Sequence, residues 1–275
     1  MITRDAAHRY TLTLDGEKQQ LPGVTTILGV LDKSGPLMTW AAKQTATAAV
    51  EMTVGQTFEG GVAPGYLSKL VETIGKDGAI KALSSRANWQ RDEAAQLGTE
   101  VHALADLVVR GEPTPPMGDT QRARVLHYAA WWKSELAKGA KLRLSEAMVA
   151  RPNDPDNPHS GWGGTFDLLY YDGDGCTVLA DIKTGGKWGR DAYDSEILQV
   201  TAYGLAKYVQ PAVENVITET PKLYPMPLAD KHKLIHVTAE GCQEINLDIG
   251  TPERMAFLAC LDLHWWLQGL KGKRI

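Results

Sequence analysis

The stretch Gly161–Gly185, GWGGTFDLLYYDGDGCTVLADIKTG, predicts two β-strands joined by a tight turn. Residues 165–171 and 177–182 are apolar runs of strand length, and the second is rich in β-branched residues. The sequence Asp-Gly-Asp-Gly at 172–175 between them is typical of a hairpin turn. We therefore expect an antiparallel hairpin at the centre of the fold.

Each predicted strand carries an aspartate within its apolar run, Asp167 in the first and Asp181 in the second. Lys183 follows Asp181 by two residues, so the two side chains are expected on the same face of the strand. A carboxylate buried in an apolar strand is costly unless a partner compensates its charge. A divalent cation and the lysine would provide that compensation.

The remaining elements alternate between helical and strand patterns, and no internal repeat or transmembrane-length apolar run interrupts them. A strand pair should form around the turn Asp15-Gly16, followed by a helix that Thr25 or Thr26 could cap. Further helices are predicted over 36–54, 66–84, 86–110, 119–138, 192–209 and 252–270, and further strands over 141–150, 216–227 and 233–238. This order predicts an α/β fold whose sheet has helices on both sides.

The chain of 275 residues, with 43% apolar residues and a net charge of −4, is typical of a globular protein. We expect one domain over 1–275, with a mostly helical N-terminal portion over 1–90 and a core over 91–275. The opening MITRDAAHRYTLTLDG has no apolar signal-peptide core, which favours a cytoplasmic protein without a membrane partner. The three scattered cysteines favour a reducing compartment and provide no four-cysteine iron–sulfur site.

The two aspartates and the lysine suit phosphodiester hydrolysis. Asp167 and Asp181 can hold Mg²⁺ or Mn²⁺ through oxygen ligands, and the ion would polarise the phosphate and acidify a bound water. Lys183 could position or deprotonate that water, or neutralise charge developing on phosphorus. The glycine-rich stretch that starts at Thr184 would let the backbone approach a ligand. Two basic side chains follow it as candidate phosphate contacts, namely Lys187 and Arg190.

Four short motifs occur in the order G-x-x-x-H (98–102), G-T-F-D (164–167), D-I-K-T-G (181–185) and Q-x-x-x-Y (199–203). This set resembles the PD-(D/E)XK nuclease superfamily. Within it, the chain is similar to the RecB-like branch, which includes phage exonucleases and the mitochondrial genome-maintenance exonuclease. The resemblance covers roughly residues 95–205. It implies a restriction-endonuclease-like mixed sheet flanked by helices and a helical N-terminal portion.

The resemblance also implies a role for each matching residue. His102, Asp167 and Asp181 would be metal ligands, together with the backbone carbonyl of Ile182. Lys183 would be the catalytic lysine. The ions would be one or two Mg²⁺ or Mn²⁺, and the absence of a G-x-x-x-x-G-K-[ST] phosphate loop predicts no nucleotide cofactor and no fused helicase motor.

Other residues near these motifs leave two interpretations open. Gln199 and Tyr203, one helical turn apart, would contact substrate phosphate or steady the lysine. Glu146 would bind a second ion or orient a water, or it is an exposed strand glutamate. His102 could be a satisfied core histidine, although the surrounding pattern favours ligation, with Asp106 holding its other ring nitrogen.

Three further features are expected near the site. Gly98, inside a helical pattern, costs about 1 kcal/mol relative to alanine, which indicates close approach of another element. Trp162 and Trp188 flank the hairpin in glycine-rich loops and could stack on a base, whereas the pairs 131–132 and 265–266 are expected in the core. Additional candidate phosphate contacts are Arg86, Arg91 and Arg151.

These observations predict a metal-dependent DNA exonuclease of phage or bacterial recombination, replication or repair. Its partners would be single-stranded or duplex DNA ends and a single-strand annealing or DNA-binding protein, in the host cytoplasm if the gene is a phage gene. The alternatives are a structure-specific endonuclease and a non-catalytic DNA-binding accessory protein.

Overall fold

The computed structural model describes residues 1–6, 9–31, 34–54, 57–58, 61–62, 66–212 and 221–271. The chain divides into two compact units, one formed by residues 1–31 and 98–275 and the other by residues 32–97. The N-terminal 31 residues thus belong to the larger unit, whereas the sequence grouping had placed them with the helical portion. No helix within the described ranges is long and apolar enough to cross a bilayer.

The smaller unit is mainly helical, as predicted for this portion of the chain. It contains helix α2, the first part of helix α3 and a short strand pair, β4 and β5. Helix α3 is interrupted at Gly75, whose φ of 74° is not helical, instead of near residue 85 as predicted. From Gly98 onward, α3 belongs to the larger unit. The bounds are Ser34–Val54 for α2, Thr57–Phe58 for β4, Gly61–Val62 for β5 and Tyr66–Arg110 for α3.

The larger unit contains, within the described residues, a seven-stranded mixed sheet in the order β10-β9-β6-β7-β8-β11-β12. Only β8 and β11 run parallel, and the other neighbouring strands are antiparallel. The strand bounds are Lys141–Arg151 for β6, Trp162–Tyr171 for β7, Thr177–Lys183 for β8, Tyr208–Gln210 for β9, Tyr224–Pro225 for β10, Lys231–Val237 for β11 and Cys242–Leu247 for β12. The predicted central hairpin is β7–β8.

Helices cover both faces of this sheet, which confirms the predicted α/β class. On one face, Tyr128 and Trp132 from α4 pack with Tyr170, and the Trp132 and Tyr170 rings meet edge-on at 5.6 Å. On the other face, Phe257 of α6 meets Trp162 at 5.0 Å. The helix bounds are Val24–Ile27 for α1, Asp119–Ala137 for α4, Asp194–Gly204 for α5 and Thr251–Lys271 for α6.

The N-terminal strands form the predicted hairpin and a third strand. The strands are β1 (Ile2–Arg4), β2 (Tyr10–Leu14) and β3 (Glu17–Leu21). Asp15 and Gly16 have φ of 48° and 86°, the left-handed conformation that a two-residue type I′ turn requires. Neither Thr25 nor Thr26 caps the following helix, because α1 begins at Val24 and Gly23 is its N-cap.

Three further predictions need correction. The predicted helix over 192–209 ends at Gly204, and Tyr208–Gln210 instead form β9 paired with β6. Strand β12 was missed, although it pairs with β11 over its whole length. Trp266 is 62% exposed, so the core assignment of that tryptophan was wrong. The predicted strand over 216–227 lies partly outside the described residues, and its described part contains only β10.

Candidate active site

The two aspartates lie at the point where β7 and β8 separate. The ladder between these strands ends at the pair Leu168–Ala180, so Asp167 and Asp181 are the next residues on each strand. Beyond that pair, the backbone N–H of Ile182 donates to Asp167 Oδ2 at 2.5 Å. The Asp167 carboxylate therefore accepts a hydrogen bond from a backbone N–H that no longer pairs within the β7–β8 ladder. This bond fixes the orientation of the carboxylate.

Helix α3 brings His102 to the same point. His102 Nδ1 lies 3.1 Å from Asp167 Oδ1, and because a carboxylate only accepts, this nitrogen carries the proton. One turn earlier, a Cβ on Gly98 would lie 3.1 Å from Thr184 Oγ1. The predicted close approach at Gly98 is therefore confirmed, and it lets the helix lie against the end of β8.

Glu146 enters from β6 through an irregular backbone. Its φ of 47° is left-handed, which is rare and costly for a residue with a side chain. Leu144 and Ala147 pack in the same core although their positions differ by three, and the same holds for Phe166 and Leu169 across the ladder. The side chains of both strands therefore change the face on which they alternate beside Glu146 and Asp167. Such a strand irregularity directs a side chain away from the face that period two would give it.

These three elements assemble a compact donor set. Ligand atoms of His102, Glu146 and Asp167 all lie within 4.8 Å of one another. Asp181 is not part of this set, although the resemblance implied that it would be a ligand. Its carboxylate, only 2% exposed, forms an ion pair with Lys183 instead.

Lys183 is held from two sides. Besides the ion pair with Asp181, its Nζ donates to Gln199 Oε1 at 2.9 Å. Gln199 Nε2 in turn donates to Tyr203 Oη at 2.7 Å. The buried Tyr203 ring lies against Gly164, where a Cβ would be 2.5 Å from Cε1. Of the two interpretations left open by the sequence, the contacts match the one in which Gln199 and Tyr203 steady the lysine.

The charges of this cluster perturb each other strongly. Burial opposes the positive form of His102, but the adjacent Asp167 carboxylate outweighs it and raises the pKa to about 9. Burial and the negative charge of Asp167 raise the pKa of Glu146 to about 8. Burial raises the pKa of Asp181 to about 6 against the pull of Lys183. Asp167 is the exception, because His102 lowers its pKa despite burial.

The donor set fits a divalent cation. Two neighbouring carboxylates repel each other, and this repulsion favours protonation of one of them. A cation bound between them would relieve the repulsion in place of that proton. Carboxylate oxygens suit hard divalent cations, and an imidazole suits several transition-metal ions. His102, Glu146 and Asp167 would hold the ion. The carbonyl of Ile182, which lies between Asp181 and Lys183 on β8, remains a predicted ligand.

The loop after Lys183 carries the other residues that were predicted to contact substrate. Lys187 is exposed, and Trp188 is 45% exposed. Arg190 is not available for phosphate, because its guanidinium donates to both oxygens of Glu196 at 2.7 and 2.8 Å. The side chain of Thr184 is half-buried and faces Gly98.

Several other candidates lie elsewhere or have different partners. Trp162 is buried in the core and donates to Ala202 O at 3.1 Å, so its assignment to base stacking was wrong. Asp106 forms an ion pair with Arg110 at 3.0 Å, whereas the His102 nitrogen that it was expected to hold is bonded to Asp167. The three other arginines predicted as phosphate contacts each have a partner in the protein. Arg86 lies over Trp89, Arg91 pairs with Asp92 and Arg151 lies over Trp162.

Sequence reasoning did not identify two residues of the loop region. Tyr193 is 55% exposed at the start of α5, and His236 on β11 places Nε2 2.9 Å from the carbonyl oxygen of Gly185. The sequence signal for Tyr193 was its position as an aromatic residue next to the basic loop. His236 had no such signal, because only the parallel pairing of β11 with β8 brings it opposite Lys183.

No family model matches this chain, and no curated protein matches it. A solved structure described as "Crystal structure of SSO0001" is similar with a TM-score of 0.32 and 14% identity over 54% of this chain. The match spans 59% of that other chain. A similarity of this size supports no conclusion about the function of either protein.

Proposed function

We propose that this protein is a metal-dependent deoxyribonuclease with a restriction-endonuclease-like fold. The observation that carries the proposal is the donor set of His102, Glu146 and Asp167 beside the ion-paired Lys183. Hydrolysis of a phosphodiester requires stabilisation of negative charge and a polarised water. The cluster combines sites for a cation with a fixed ammonium group, and so meets both requirements.

Each side chain has a role that follows from its contacts. A bound Mg²⁺ or Mn²⁺ supplies Lewis acidity and lowers the pKa of a water ligand. Lys183, whose pKa is raised because Asp181 outweighs the effect of burial, stays charged and donates to the developing negative charge on the phosphate oxygens. Asp181 and Gln199 hold its Nζ in place, so little reorganisation is needed as the charge develops.

We further propose that the enzyme is an exonuclease acting on DNA ends in recombination, replication or repair. The support is the residue pattern in which a histidine-bearing helix precedes the two aspartates and a Gln/Tyr helix follows them. The contacts of His102 and Gln199 give both motifs a physical role at one site. A protein that anneals single strands remains a proposed partner.

The test uses purified protein with end-labelled single-stranded and duplex DNA, with Mn²⁺, with Mg²⁺ and with chelator. We expect degradation only with free metal, and its loss in Lys183→Ala and Asp181→Ala. Lys133→Ala, which removes an exposed lysine on α4, is the matched control and should degrade DNA at the wild-type rate.

Two outcomes separate the alternatives. Cleavage of circular single strands or of covalently closed duplexes would replace the exonuclease by an endonuclease. DNA binding with no metal-dependent degradation would indicate the accessory protein. Undiminished degradation in both folded variants would contradict the assignment of the site itself.

A further inference from the structure

Two exposed aromatic rings lie on the loop that follows Lys183. Trp188 is 45% exposed and Tyr193 is 55% exposed. The structure supports each ring on one side with protein groups and leaves about half of its surface accessible. A ring of this kind presents a fixed apolar surface at little entropic cost on binding.

Trp188 is supported by His236 and Gly241. The indole lies nearly parallel to the His236 ring, with an angle of 22° and 6.5 Å between centroids. A Cβ on Gly241 would come within 2.6 Å of Trp188 Cη2, so only glycine allows the indole to lie against this backbone. These contacts fix one edge and one face of the tryptophan.

Tyr193 is supported by Arg190. The guanidinium carbon lies 4.1 Å from the centroid of the tyrosine ring. The same guanidinium is bidentate to Glu196, which also accepts from the backbone N–H of Tyr193 at 2.9 Å. One face of the tyrosine is therefore covered by a cation that is itself immobilised.

Both supports converge on the carbonyl of Gly185, two residues beyond Lys183. His236 Nε2 donates to this oxygen at 2.9 Å, and Arg190 Nε approaches it at 3.4 Å. His236 is fully buried, so its hydrogen bond is protected from water. The loop that bears the two rings is thus hydrogen-bonded at Gly185 to β11, the strand that pairs with the lysine-bearing strand β8.

We propose that Trp188 and Tyr193 form a stacking platform for unpaired bases of a single DNA strand whose phosphate is presented to Lys183. This inference rests on the proposed function and names its substrate class. Stacking needs a free base face, which a single strand or a frayed end offers and an intact duplex interior does not. Exposed Lys187, next to Trp188, adds an ammonium for the backbone phosphate.

The test measures binding without turnover, in the presence of chelator, by fluorescence anisotropy of labelled strands. The probes are oligo-thymidine, an abasic strand of the same length and a duplex of the same length. Trp188→Ala and Tyr193→Ala should each weaken oligo-thymidine binding about tenfold and change abasic-strand binding less than about twofold. Trp188→Phe and Tyr193→Phe should restore most of the binding, because a ring is retained.

Two controls complete the design. Trp266→Ala removes a tryptophan on α6 that is more exposed than Trp188, at 62%, and should change nothing. Lys187→Ala should weaken the thymidine and abasic strands equally. Equal losses on both strands in the Trp188 and Tyr193 variants, no loss at all, or tighter binding of the duplex would overturn the platform. Because no hydrolysis is involved, this result is independent of whether the protein degrades DNA.

Discussion

At the scale of single residues, two partners fix the position of Lys183 Nζ. One ionic partner and one amide oxygen hold it, and the amide is oriented by a buried tyrosine hydroxyl. Such outer partners fix the geometry of a catalytic group without touching the substrate. Under the proposed function, Gln199 and Tyr203 are therefore positioning residues for Lys183.

We expect Gln199→Ala to lower kcat by roughly 10- to 100-fold with little change in KM, the range typical of lost outer partners of a catalytic centre. The reason is that Lys183 would lose the acceptor that fixes its direction. Steady-state degradation of a fluorescent DNA substrate measures both constants.

The control is Tyr203→Phe, which keeps the packing against Gly164 and removes only the hydroxyl. Its loss of kcat should be smaller than that of Gln199→Ala, because Gln199 still reaches the lysine. A rise in KM at unchanged kcat in either variant would instead indicate direct contact with substrate.

At the scale of elements, the irregularity shared by β6 and β7 directs two carboxylates toward one point. Period-two alternation alone would place Leu144 and Ala147 on opposite faces, as it would Phe166 and Leu169. The left-handed backbone of Glu146 accompanies this shift on β6. We infer that conformational strain at Glu146 is part of the cost of building the cation site.

This inference predicts opposite effects of substituting Glu146 and its neighbour. With chelator present, Glu146→Gly should be more stable than Glu146→Ala by about 1 kcal/mol, because only glycine adopts a positive φ without strain. Both variants should lose stabilisation by Mn²⁺. Chemical denaturation followed by circular dichroism measures each difference.

Ser145, whose φ is not positive, provides the matched pair of control variants. There Ser145→Gly should be less stable than Ser145→Ala, since glycine in an ordinary strand position costs entropy. The same order of stability at both positions would refute the strain at Glu146.

At the scale of the whole molecule, the charge cluster links stability to pH and metal. The folded pKa values of His102 and Glu146, about 9 and 8, exceed their ordinary values of 6.5 and 4.5. A raised folded pKa stabilises the protein at low pH, and this contribution is lost as pH rises through the folded value. The Glu146 contribution should therefore be lost between pH 4.5 and 8 and the His102 contribution between pH 6.5 and 9, so metal-free protein should lose stability from pH 6.5 to 9.

A cation requires the neutral imidazole and the ionised carboxylate, so it competes with these protons. The increase in Tm caused by excess Mn²⁺ should consequently grow from pH 6.5 to pH 9, and thermal unfolding with and without chelator measures it. The lowered pKa values of the half-buried His232 and the buried His236 affect stability only below pH 6.5, outside this window.

The double variant His102→Asn, Glu146→Gln serves as the control for the pH effect. It should flatten the pH dependence of the metal-free protein and show no metal effect. An equal Mn²⁺-induced shift at pH 6.5 and pH 9 in the wild type would rule out the proposed competition with protons.

Local signals in the sequence were sufficient to predict the central hairpin and to single out its charged residues. The apolar runs and the Asp-Gly turn are local signals, because strand period and turn conformation depend on neighbouring residues. The two aspartates and the lysine were identified as site candidates because a charge in an apolar strand requires a compensating partner. The glycine at position 98 predicted that another element lies close to the helix, but the sequence did not identify Thr184 as the residue in contact.

Which of these residues contact each other depends on the packing of distant segments. Asp181 pairs with Lys183 outside the donor set of His102, Glu146 and Asp167, and no sequence spacing distinguishes the two arrangements. Trp162 is buried and Trp188 is exposed, although each is followed directly by a glycine. Such outcomes depend on strand pairing and helix packing between distant segments. The free energy of such a contact depends on both of the packed elements, so the residue pattern of one element is not enough to predict it.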